Sequence, residues 1–160
     1  MPVNYQPEIF RLTHLTTDIT AKTDAQVENY ACRYTFAPIW TYQVPINQAF
    51  VLERDEQFFG IYIEDDEVSA AEWRDDQQVR IEVWDATLQR MYIVYQGQYN
   101  QSKEEQDHTK MATYQIEEPY HIRSGDWIYI SGYCPKTIYT IDVSDSRFSL
   151  EMTRIKPSII

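Results

Sequence analysis

A chain of 160 residues carries 25 acidic against 14 basic side chains, a net charge of −11, which excludes a phosphate-backbone partner because no basic face could form without cancelling its own field. With 43% hydrophobic and 24% charged residues the chain is not disordered, and at this length roughly 70% of the unfolded surface can be buried without metal or disulfide. No apolar run reaches the about 18 residues of a membrane helix, and MPVNYQPEIF lacks the basic segment and apolar core of a signal peptide, so a soluble protein made in a reducing cytoplasm is expected.

Taken in chain order, short alternating runs recur about every dozen residues, each bounded by polar or Pro-containing stretches. EIFRLTHL (8–15) is a first strand or an extended arm, so residues 1–23 are read as an N-terminal arm or first strand and 24–160 as one β-sandwich domain. In VENYACRYTFAP (27–38) Tyr30, Cys32, Tyr34 and Phe36 share a face and Pro38 ends the run. IWTYQVP (39–45) places Trp40, Tyr42 and Val44 together and stops at Pro45; QAFVLER (48–54) and QFFGIYIED (57–65) follow. Helical spacing is confined to EVSAAEWRD (67–75) and a turn near SKEEQDHTKM (102–111), both short and acidic.

The stretch QVRIEVWD (78–85) and QRMYIVYQGQY (89–99) is apolar or aromatic on both faces. Val79, Ile81 and Val83 alternate with Arg80, Glu82 and Trp84; Met91, Ile93 and Tyr95 alternate with Tyr92 and Val94. One apolar face is expected of a half-buried strand, and the second asks for a cover. ATYQIEEPYHI (112–122) leads to the turn Ser124-Gly125-Asp126, then DWIYISGY (126–133) with Trp127 and Tyr129 opposite Ile128 and Ile130. TIYTIDV (137–143) and RFSLEMTRI (147–155) close the chain, the latter setting Phe148, Leu150 and Met152 against Ser149, Glu151 and Thr153. Some ten antiparallel strands without a repeat or linker predict an all-β, single-domain antiparallel β-sandwich, jelly-roll-like, or else a flattened barrel.

Signatures of a reaction are absent. His14, His108 and His121 have no nucleophile context, and read as surface or capping residues. No His or Cys pair has zinc spacing. Cys32 and Cys134 alternate with aromatics and read as two buried free thiols, with a disulfide between them an open alternative. The acidic runs Glu64-Asp65-Asp66-Glu67, Asp75-Asp76, Glu104-Glu105 with Asp107, and Glu117-Glu118 could serve a hydrolase only by converging at about 5 to 9 Å. Calcium is the alternative for such loops, but they lack EF-hand spacing; no cofactor is expected. Aromatics remain. Trp84, Tyr92, Tyr95, Tyr99, Trp40 and Tyr42, with Trp127 and Tyr129 downstream, exceed one core stripe, and the first six form the predicted interface set.

The strand series TYQVPINQAFVLERDEQFFGIYIED (41–65), RIEVWDATLQRMYIVYQGQY (80–99) and YHIRSGDWIYISG (120–132), rich in Tyr and Gln with acidic loops, resembles the all-β cement or decoration proteins of tailed-bacteriophage capsids. That resemblance implies a non-catalytic homotrimer on the virion surface, at quasi-threefold points, clamping the major capsid protein or other assembly subunits, with no nucleic acid or membrane partner. An arm over Met1 to Thr23 would then order on binding, and Tyr92→Ala with Tyr95→Ala is expected to weaken assembly more than folding. The alternative reading is a carbohydrate-binding β-sandwich module, with Trp and Tyr stacking sugar rings on one open face.

Overall fold

Alternation in these strands sorts side chains to two faces, and the computed structural model shows where each face goes. It describes residues 3–21, 37–53, 58–65, 78–98, 112–113, 116, 118–133 and 141–159. These form eleven strands: β1 (Val3–Thr13), β2 (Thr20–Ala21), β3 (Ala37–Gln43), β4 (Ala49–Leu52), β5 (Phe58–Asp65), β6 (Gln78–Asp85), β7 (Arg90–Gln98), β8 (Ala112–Thr113), β9 (Tyr120–Ile122), β10 (Trp127–Tyr133) and β11 (Ile141–Ile159). All pairings are antiparallel. One sheet runs β8-β5-β11-β4-β9 with β1 added on β11; the other runs β2-β3-β10-β6-β7. The result is an all-β sandwich of jelly-roll type, as the alternation predicts.

The core is the inner face of both sheets. Phe50, Leu52, Phe59, Ile61, Phe148, Leu150 and Met152 from the first sheet meet Trp40, Val79, Ile81, Val83, Ile128 and Ile130 from the second. The Trp40 and Phe148 rings lie 4.8 Å apart between the layers, an aromatic contact that adds to area burial. Phe148, Leu150 and Met152 join the core cluster while their alternates do not, although Ser149 and Glu151 on the opposite face are buried too.

Strand β11 organises the first sheet. Residues 149–159 pair with all of β1, from Val3 opposite Ile159 to Thr13 opposite Ser149. Its other edge carries β5 along residues 141–150 and then β4 at Thr153–Ile155. Two strands expected separately from TIYTIDV and RFSLEMTRI are thus one strand of 19 residues, irregular between Asp142 and Arg147. The polar run that looked like a break only disturbs the register. Glu8 and Arg154 are cross-strand partners with their side chains ion-paired, and Arg154 also lies over the Phe10 ring at 5.1 Å.

Pro38 begins a strand and does not end one. It is the second residue of β3, opposite Ser131, where the register with β10 shifts. A proline lacking an N–H is tolerated at a strand's start or at such an irregularity. The helical stretches expected at 67–75 and 102–111, the run 27–36, and Cys32, Cys134 and His108 lie outside the described residues.

Candidate protein interface

The second face of the β6–β7 ribbon is decided by one irregularity. Asp85 pairs with Arg90, Trp84 with Met91, Val83 with Tyr92 and Glu82 with Ile93, but Ile81 pairs with Tyr95. Val94 is therefore an extra residue, a β-bulge that inverts the alternation beyond it. Tyr95 joins Tyr92 on the inner side, beside buried Ile81 and Val83, while Met91 and Ile93 point out at 45% and 53% exposure. Tyr92 reaches the Tyr120 ring at 6.1 Å and Tyr95 the Phe59 ring at 6.0 Å. Both partners belong to the other sheet, so both tyrosines close the rim of the core.

Trp40 and Tyr42 are corrected as well. At 1% and 5% exposure they are core residues, because their face of β3 packs inward with Val44. Neither ring is available to a neighbour. Trp84 does face outward and is half-buried; Tyr99 lies outside the described residues.

What the outer face of this sheet presents is a different set. Trp127 is the cross-strand partner of Trp84, and Trp84 of Met91. One row along, Tyr129 partners Glu82, and Glu82 partners Ile93. Trp127 and Tyr129 stack with centroids 6.5 Å apart. The face is uneven: Thr41 and Ser131 on it are buried, and its open part lies toward β7. The Tyr129 hydroxyl is pushed above its ordinary pKa by burial and then by the Glu82 carboxylate. The tight turn between Asp85 and Arg90 could have placed Met91 opposite Trp84 from sequence; the pairing of Trp127 with Trp84 joins distant strands and could not.

At its other end this face runs into a cleft. Two turns are tied together there: Val44 N–H donates to Asp126 O at 2.9 Å, Gly125 N–H to Val44 O at 3.0 Å, Ser124 Oγ to Pro45 O at 2.9 Å and Gln43 Nε2 to Gly125 O at 3.2 Å. Gly125 holds φ at +89°, the left-handed region that favours glycine. Asp126, buried, accepts from Ala86 N–H at 3.0 Å and Arg123 N–H at 2.9 Å, so the turn predicted at 124–126 also anchors the β6–β7 loop. Asp18, Thr20, Gln43, Pro45, Ile46 and Trp127 line a cleft of about 470 Å³.

Among the described residues no group of three or more His, Cys, Asp or Glu side chains could hold a metal ion. His14 lies in the turn after β1, and His121 is exposed on β9.

No family model matches the sequence, and no curated protein matches it either. Solved structures do. VP17, a capsid protein of bacteriophage P23-77, superposes with a TM-score of 0.64 at 7% identity, covering 99% of this chain and 100% of that one. The VP16-VP17 complex, of the two major capsid proteins of the same phage, gives 0.57 at 8% identity over 93% and 98%. From one end to the other, the chain has the fold of these proteins.

Proposed function

We propose that the chain is a non-catalytic structural protein of a bacteriophage capsid, packed against other capsid subunits. The observation that carries this reading is the two-way match with VP17, which covers nearly all of both chains. A sandwich filled by its own large side chains, with an apolar strip on its outer face, fits a protein that works by contact.

Its finer form has two versions. The sequence texture favours a decoration protein that clamps a finished shell as a trimer; the VP16-VP17 likeness favours a subunit of the shell itself. Quantitative mass spectrometry of purified virions tests the common reading, which expects many copies per particle and fails if the chain is absent. Mild urea treatment separates the versions: a decoration protein leaves an intact shell behind, whereas a shell subunit is released only as the shell dissolves. Light scattering of the purified chain tests for the trimer, which the decoration version expects and a monomer would contradict.

A further inference from the structure

We infer that the cleft between Asp18 and Trp127 is a receptor for an arginine side chain of a partner protein docked on the outer face of the β2-β3-β10-β6-β7 sheet. Its chemistry is that of a guanidinium site. Trp127 offers the aromatic surface on which a planar cation stacks. Asp18 supplies a carboxylate, and Thr20 and Gln43, which also line the cleft, carry side-chain oxygens.

Three observations favour a cation over other occupants. Asp18 is exposed, and no lysine or arginine among the described residues pairs with it. Its field reaches into the fold, where it is the second cause, after burial, of the raised pKa of Tyr42. No basic residue lines the cleft, in a chain of net charge −11. The wall from Gln43 to Pro45 and Gly125 is built in advance, because hydrogen bonds tie residues 43–45 to residues 124–126 before anything binds; preorganisation of this kind lowers the cost of binding. Trp127 is also the end member of the Trp127–Trp84–Met91 row, so a side chain held here would seat its own protein against the apolar strip. A second copy is the poorer occupant, since two chains at −11 repel. A sugar would need further coplanar rings, and only Trp127 among the lining residues is aromatic.

The identification of the partner as a neighbouring capsid subunit rests on the proposed function; the cleft's preference for a guanidinium does not. The test is NMR titration of the isolated chain, following the Trp127 indole N–H with N-acetyl-argininamide, with its neutral isostere N-acetyl-citrullinamide, and with a methyl glucoside, at matched ionic strength. A saturable shift is expected with the arginine probe by roughly 100 mM, the weak range of one cation–π contact plus one ion pair. Asp18→Asn should weaken it about fivefold, and Trp127→Leu should abolish the shifts of neighbouring Thr20 and Gln43 amides, with thermal unfolding confirming that both variants fold. Equal shifts with the citrulline probe, indifference to Asp18→Asn, saturation by the glucoside, or no shift at all would each overturn the proposal. Absence from virions would remove the capsid reading and leave a positive titration standing.

Discussion

A buried carboxylate that meets only backbone N–H groups has a structural role, and Asp126 is of this kind. It terminates two loops at once, accepting from Ala86 and Arg123. Asp126→Ala should cost about 2–3 kcal/mol, because two donors lose their partner in a partly buried place, lowering the melting temperature by roughly 5–10 °C in a domain of this size. A calorimetric scan showing a drop under about 1 °C would contradict that role. Tyr120 makes a pH prediction. Its hydroxyl is pushed up to about 12, first by burial and then by the Asp85, Tyr92 and Asp126 fields, against a lowering by Arg123. The neutral phenol is therefore favoured by folding. Its contribution is complete below the unfolded value near 10 and is lost as pH rises from there to about 12. Urea midpoints should fall over that window, and Tyr120→Phe should fall less steeply than wild type.

Among the elements, β7 shows how one inserted residue reassigns a strand. Alternation read from Met91 onward puts Tyr95 with Ile93; the bulge at Val94 puts it with Tyr92, facing Phe59. The expectation that Tyr92→Ala with Tyr95→Ala weakens assembly more than folding is accordingly revised. The pair should cost about 2–4 kcal/mol as partly filled core positions are emptied. Met91→Glu with Ile93→Glu, on the exposed side, should change stability by no more than about 0.5 kcal/mol per site while weakening assembly. Chemical denaturation beside sedimentation of the two double mutants checks both halves. Similar losses of stability in both would mean that the outer strip is covered within the fold itself. Strand β11 supplies the counterpart: its irregularity between Asp142 and Arg147 interrupts the pattern without ending the strand, because β5 pairs with it on both sides of the irregularity.

For the molecule as a whole, net charge sets the salt response. Copies at −11 repel, and added salt screens them; the Debye length falls from roughly 10 Å at 0.1 M to 3 Å at 1 M. Self-association should strengthen over that range, while binding to a basic partner should weaken through its on-rate. Light scattering and surface-binding kinetics across the salt series would show the opposite trends, and a partner interaction that tightens with salt would speak against electrostatic complementarity.

Period-two alternation was enough to determine the all-β class, the strand set from 39 to 65 and 78 to 98, and which residues share a face in β6, β10 and the end of β11. Burial of one face is a local consequence of the pleat, visible in residues such as Val79, Ile81 and Val83. The turn at Ser124-Gly125-Asp126 was legible for a similar reason, since its backbone demands are met by its own residues. What only the tertiary structure decided was the direction of Trp40, Tyr42 and Tyr95, and the joining of Asp18 to Trp127 in one cleft. Those outcomes depend on which strand lies opposite and where a bulge falls. Contacts between residues about a hundred positions apart leave no mark on local spacing.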